Sequence, residues 1–265
     1  MSVADPVETP EAEVLFERVG DHVALVTLNR PAVHNAVNVA VAEALEGYVM
    51  QIEADRSIRA AVLASRGSSF CAGADLREVA AGRALQLARP ETGFAGFVYA
   101  CKTKPWIAAV QGPAYGGGTE IALACDMIVA GEKAGFGLPE VKRGLIAGAG
   151  GAYRVTNVLP RPVAIEMVVT GEPIAARRAY ELGLVNHLVD EGEEVSTALR
   201  LAETIARNAP LSVRESLRLT RAAADRGEAE NRKLQDEVVA NVLASPDLAE
   251  GAKAFIERRA PVWTS

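Results

Sequence analysis

Cysteine and histidine are both scarce, with three of each in 265 residues. Cys71, Cys101 and Cys125 are odd in number and far apart, which excludes a disulfide framework and the short paired spacing of a zinc site. His22, His34 and His187 form no His-Glu-x-x-His motif, so no metal is expected. No apolar run approaches the roughly 20 residues that span a bilayer, the longest being alanine-rich and broken by Gly, Pro or charge. Residues 1–13 carry Asp5, Glu8, Glu11 and Glu13 but no Lys or Arg, unlike a secretory or transit leader, and read as a flexible acidic tail. These absences together predict a cytoplasmic protein in a reducing compartment.

Further absences narrow the chemistry. No Gly-x-Ser-x-Gly nucleophile elbow occurs, and neither glycine-rich stretch completes a dinucleotide fingerprint: Gly116-x-Gly118 leads to Ile121, Gly148-x-Gly150 to Tyr153. A serine hydrolase and a nicotinamide enzyme are both unsupported. The formal net charge of −6 and pI near 5.3 argue against nucleic acid as the main partner.

What is present is a globular composition, 49% hydrophobic and 23% charged, long enough for one large core or two unequal domains. Residues 14–29 alternate around a turn at Gly20-Asp21, as a hairpin does. Val41, Leu45, Val49 and Ile52 then recur at helical spacing, and Ala60–Ala64 returns to strand. Strand and helix patterns repeat at Trp106–Val110, Gly117–Ala124, Met127–Ala130 and Val163–Thr170, which predicts an α/β core. Beyond about residue 190 only helical stripes remain, punctuated by Pro210 and Pro246. The expected organisation is an acidic tail over 1–13, an α/β core over 14–190 and a helical region over 191–265.

Glu120, in Gly116-Gly-Gly-Thr-Glu120, and Glu140, in Gly137-Leu-Pro-Glu140, stand twenty positions apart, each beside backbone that can approach a ligand closely. Phe70-Cys-Ala-Gly-Ala-Asp75 adds a corner of small residues whose main-chain N–H groups can face a substrate oxygen. Paired carboxyls with exposed N–H donors suit the stabilisation of an enolate.

At these positions the chain resembles the crotonase superfamily, the enoyl-CoA hydratases and isomerases. The resemblance is carried by Asn29-Arg-Pro31 with Asn35, Ser69–Asp75, Lys104-Pro105 leading to Gln111-Gly112, Tyr115–Glu120, Cys125-Asp126, Pro139-Glu140 and Gly148–Gly151. It implies a crotonase-like spiral of repeated β-β-α units followed by helices that mediate trimer formation, with homohexamers built as dimers of trimers. By position it implies Ala74 and Gly117 as the N–H donors of an oxyanion hole, Glu120 as general base, Glu140 as acid and Gly148 as a backbone contact near the reacting water. Ala72, Ala74, Asp75, Leu76, Arg77 and Gly117 would bind the acyl-CoA thioester. Phe255 and Arg258 would reach coenzyme A from a neighbouring subunit. Coenzyme A enters as part of the substrate, and no separate cofactor is implied.

The expected reaction is syn hydration of a trans-2-enoyl-CoA to a 3-hydroxyacyl-CoA. The alternatives are an enoyl-CoA isomerase or a specialised hydratase or dehydratase, and, in another class, a non-catalytic acyl-CoA- or RNA-binding scaffold. Leu138, where such hydratases often carry a polar residue, and Ala147, where proline is common, depart from the pattern. Leu85, Leu87, Phe94 and Phe97 are expected to enclose an apolar acyl pocket. Asp75 and Asp126 read as turn or capping residues, His34 as an organiser of the loop before the first helix, Trp106 as core and the cysteines as small buried hydrophobes.

Overall fold

The computed structural model describes residues 12–264, so most of the expected acidic tail lies outside the described residues. The chain opens with the hairpin β1 (Val14–Val19) and β2 (Val23–Leu28), followed by α1 (Val39–Ala54), β3 (Ala60–Ser65) and the short α2 (Leu76–Ala80). Two two-residue strands, β4 (Ala88–Arg89) and β5 (Gly93–Phe94), precede β6 (Trp106–Val110), β7 (Pro113–Tyr115) and α3 (Gly117–Leu123). Next come β8 (Met127–Gly131), β9 (Gly135–Gly137), α4 (Gly151–Val158), α5 (Arg161–Thr170), β10 (Ile174–Ala175), α6 (Ala176–Glu181) and β11 (His187–Val189). Four helices close the chain: α7 (Glu194–Ala206), α8 (Pro210–Ala223), α9 (Glu228–Leu243) and α10 (Pro246–Glu257).

The main sheet has the order β1-β2-β3-β6-β8-β11, antiparallel at the first pair and parallel at the rest. Period-two alternation divides its side chains between two cores. Ala61, Leu63, Trp106, Ala108 and Val110 join α1 on one face, while Ala60, Val62, Ile107 and Ala109 join α7 on the other. Burial on both faces explains why β3 and β6 read as unbroken apolar runs. Ala198, Ala202 and Ala206 recur every fourth residue on α7, and their small side chains let the helix lie close to the sheet.

A second sheet, β10-β9-β7, places the functional loops. The parallel pairing of β7 and β9 sets Tyr115 opposite Gly137, and a parallel bridge sets Cys71 beside Ala114. A further bridge joins Val37 to Ala74. Three chain segments therefore emerge side by side after residues 71, 115 and 137, which brings Ala72–Asp75, Gly116–Glu120 and Pro139–Glu140 together.

Several local expectations hold. Trp106 is fully buried, Asp75 caps α2 by accepting the Arg77 N–H at 3.1 Å, and His34 contacts the Ser69 hydroxyl at 2.9 Å. Asp126 accepts the Trp106 N–H at 2.8 Å and pairs with Arg221 of α8 at 2.7 Å. Others need correction. Cys101 is exposed because it sits in the irregular segment before β6, whereas Cys71 is buried. Leu85 projects into solvent at 89% exposure, and Leu87 and Phe97 are absorbed into the main core; of the four expected acyl-pocket residues only Phe94 lines the cavity described below.

Candidate active site

The three neighbouring loops open onto a cavity of about 720 Å³. Glu120, Glu140, Gly117 and Gly148 line it, together with the run Ala72, Ala74, Asp75, Leu76 and Arg77. Phe255 and Arg258 do not reach it: Phe255 is 85% exposed on α10, and Arg258 is the left-handed residue that ends that helix.

Gly116 explains the entry to α3. Its φ of 56° and ψ of −126° lie where side chains are rarely tolerated, and its N–H donates to Gly137 O at 2.9 Å. The turn leaves Gly117 as the first residue of α3, where an N–H has no intrahelical acceptor. Among the described residues neither Gly117 N–H nor Ala74 N–H donates to a protein partner. The two loops touch, since a Cβ built on Gly73 would stand 2.9 Å from the Gly117 nitrogen. Free N–H donors in adjoining loops of one cavity, one at a helix N-terminus, favour negative charge.

Asp75 is held by Arg30, whose Nη1 lies 3.1 Å from its carboxylate, while Arg30 Nε bonds Glu13 at 3.0 Å. Val37 N–H donates to Gly73 O, and Asp75 N–H donates back to Val37 O, each at 2.8 Å. The Ala74 peptide is thus clamped on both sides. Burial, the largest single influence, opposes ionisation of the Asp75 carboxyl, but the Arg77 N–H bond and the Arg30 guanidinium outweigh it and hold the carboxyl below its ordinary range. Cys71 beneath the loop is pushed up to about 12 by burial, which leaves it an inert thiol.

Glu120 is only 3% exposed. Its Oε1 accepts N–H bonds from Ala149 at 2.7 Å and Gly151 at 2.9 Å, the latter being the first residue of α4. A helix N-terminus therefore holds one carboxylate oxygen and leaves the other for a reactant. Thr119 fastens α3 to β9 by accepting the Gly137 N–H at 3.1 Å and donating to Ala114 O at 2.5 Å. Glu140 follows three residues after that strand, and its Oε2 is buried with no hydrogen-bond partner among the described residues.

Burial pushes Glu120 up to about 7, with the nearby Glu140 charge adding to the shift and the two N–H bonds opposing it. Glu140 is also raised, again chiefly by burial, with its own N–H and Arg143 acting in the opposite sense. Both carboxyls are thus displaced toward the protonated form, and the Glu140 charge adds to the displacement of Glu120. The two N–H donors on Glu120 Oε1 limit its upward shift without cancelling it, and the Oε2 of Glu140 has no donor among the described residues. One base and one acid in a shared cavity can move protons at adjacent carbons.

Sequence reasoning singled out Gly148 but missed Ala149 and Gly151, whose N–H groups grip Glu120. The signal was present in Gly150-Gly151, where Gly150 has a φ of 100° and precedes α4, a common way to present helix N-terminal amides. It also missed Tyr99, Arg143, Leu145 and Ile146 on the cavity wall.

Comparison with known proteins identifies the family. The enoyl-CoA hydratase/isomerase family model matches residues 18–265. Enoyl-CoA hydratase EchA19 of Mycobacterium tuberculosis is 37% identical over 260 residues, covering 94% of this chain and 95% of that protein. Mevalonyl-coenzyme A hydratase SIDH of Beauveria bassiana is 41% identical over 259 residues, covering 91% of each. The crystal structure of an enoyl-CoA hydratase from Mycobacterium tuberculosis H37Rv superposes with a TM-score of 0.92 at 43% identity, covering 96% of this chain and 99% of that one. With both the sequence match and the crotonase-type fold extending over nearly the whole length, the chain belongs to the enoyl-CoA hydratase/isomerase family.

Proposed function

We propose that this protein adds water reversibly across the double bond of a trans-2-enoyl-CoA, giving a 3-hydroxyacyl-CoA. The observation that carries the reading is the placement of a buried carboxyl, Glu120, and a half-buried one, Glu140, in one cavity with the N–H groups of Ala74 and Gly117, which have no acceptor among the described residues. The hydratase names of the relatives are consistent with it.

In this reading the thioester oxygen accepts from the Ala74 and Gly117 N–H groups. Water held between the glutamates gives a proton to Glu120 while its oxygen bonds to C3. The displaced π pair passes toward the thioester oxygen and forms an enolate, which returns the pair to C2 as Glu140 delivers a proton there. Proton exchange between the carboxyls restores the starting state. Gly148 borders the water, and Ala72–Arg77 cradle coenzyme A, where the exposed Arg77 suits a phosphate. No cofactor is required beyond the coenzyme A of the substrate. We place the working enzyme in the cytoplasm as a homotrimer or homohexamer in which Phe255 and Arg258 complete a neighbour's coenzyme A site.

Incubation with crotonyl-CoA and, separately, a 3-enoyl-CoA tests the assignment by product analysis. Hydration of the first is the expected result. Rapid double-bond migration in the second without hydration of the first would replace hydratase with isomerase, and binding without conversion of either would point to a scaffold.

A further inference from the structure

The hydration scheme leaves a polar cluster beside Glu120 without a task. Tyr99 lines the cavity, in a wall that also includes the apolar Phe94, Leu145 and Ile146. Its ring is closely backed by the Gly93 main chain, since a Cβ there would come within 2.3 Å of it. The Arg154 guanidinium lies 5.2 Å from the centre of the Tyr99 ring and 5.8 Å from that of Tyr153. One arm of this guanidinium is committed, because Nη2 donates to Val98 O at 2.7 Å. The other, Nη1, is buried with no partner among the described residues.

The guanidinium does not itself line the cavity, so what it supplies there is positive charge behind the Tyr99 ring. The same guanidinium faces both rings, which brings Tyr153 into the surroundings of the Tyr99 side chain. Burial and the neighbouring Tyr153 raise the Tyr99 phenol, against the nearby Arg154 charge, so at neutral pH it is an O–H group able to donate. A plain alkyl chain against this wall would strip water from the phenol and return no hydrogen bond. An oxygen-bearing chain would meet a neutral donor backed by a cation.

We propose that Tyr99, supported by Arg154 and Tyr153, forms a polar subsite that selects 2-enoyl thioesters carrying an oxygen acceptor, a hydroxyl or a carboxylate, on the acyl group beyond C3. This inference rests on the hydratase reading for the placement of C3 beside Glu120, and it narrows the substrate from enoyl thioesters at large to oxygenated ones. A site built to hydrogen-bond an oxygen discriminates against the analogue lacking it more strongly than an apolar pocket discriminates between alkyl groups.

The test compares three 2-enoyl-CoA thioesters of equal chain length, with an alkyl, a hydroxylated and a carboxylated end, together with calorimetric binding of their saturated counterparts. At least one oxygenated substrate should exceed the alkyl one by about tenfold in kcat/KM, with the same ranking in binding. Tyr99→Phe should lower that ratio severalfold, and Tyr153→Phe should lower it less. The hydroxyl and carboxylate arms identify which oxygen the subsite takes. Equal or better turnover and binding of the alkyl thioester, or a ratio unmoved by Tyr99→Phe, would overturn the proposal. If none is hydrated but the binding preference and its loss in Tyr99→Phe persist, the reaction assignment falls and the subsite stands.

Discussion

The cavity loops and the C-terminal helices differ in how they hold their polar groups and in what their exposed apolar groups face. Around the cavity, Glu120, Asp75, Asn35 and Thr119 are buried and tied to main-chain groups. On α9 and α10, Leu243, Phe255 and Ile256 are 61%, 85% and 78% exposed. A site that stabilises charge through peptide N–H groups has to be rigid within its own chain. Helices that leave large apolar residues in water are suited to covering another surface. The contrast implies that changes near the cavity alter chemistry or folding within one chain, whereas changes on the outer helices alter what the chain meets.

The largest expected effects come from the carboxyls. Glu120→Gln and Glu140→Gln should each lower kcat for enoyl-CoA hydration by about 10²–10⁴-fold, as measured by steady-state kinetics. Gly117→Val comes next, because a Cβ at 117 would come within 2.4 Å of the Phe94 ring and the adjustment would tilt the N–H that the mechanism uses. A kcat loss of about 10²–10³-fold is expected, with the fold retained by circular dichroism.

The pH dependence sharpens the comparison by separating activity from stability. Hydration should rise as pH increases through about 7, where Glu120 loses its proton and becomes able to accept one from water. Stability should run the other way. The folded chain keeps a proton on Glu120 up to about 7, whereas the unfolded carboxyl releases it near its ordinary 4.5. The folded state therefore binds more protons between these values, and stability is greatest below the lower one and is lost as pH rises through the upper one. Glu120→Gln removes this titration, so denaturant melts should show it gaining on the parent across that interval, by on the order of 3 kcal/mol if the shift is fully expressed. A constant difference at all pH values would argue against the raised carboxyl.

Lys104 provides a control on the cavity side of the comparison that lies away from the cavity. Its ammonium donates to Asp55 O at 2.7 Å and also to Ile52 O, satisfying carbonyls at the end of α1. Lys104→Met should destabilise the chain by roughly 2–3 kcal/mol, read from its melting curve. Phe255→Ala and Arg258→Ala should have the smallest effect on folding, within about 0.5 kcal/mol, because the isolated chain leaves both exposed. If a neighbouring copy uses them, KM for the thioester should rise severalfold; an unchanged KM would remove them from the coenzyme A site.

Much of the architecture was legible because burial leaves periodic marks. Val41, Leu45, Val49 and Ile52 marked α1, and the runs at Ala60 and Trp106 marked central strands. The glutamates were legible through their glycine-rich and proline-bearing neighbours. The sequence did not expose β4, β5 and β10, each two residues long and too short to establish a period. Nor did it separate Phe94 from Phe97: both are aromatic residues in the same segment, and only the turn between β5 and β6 sends one to the cavity and the other to the core. The grip of Ala149 and Gly151 on Glu120 left only an indirect mark, the Gly150-Gly151 pair, since a main-chain donor carries no side-chain signature.

A double-mutant cycle on Glu120 and Glu140 tests the central claim most directly, with hydration of one enoyl-CoA measured for the parent, Glu120→Gln, Glu140→Gln and the double variant. If the carboxyls act as one unit on one water, the double variant should be within about tenfold of the slower single variant, far short of the product of the two losses. Fully multiplicative losses, or parent-like turnover in either single variant, would contradict the account.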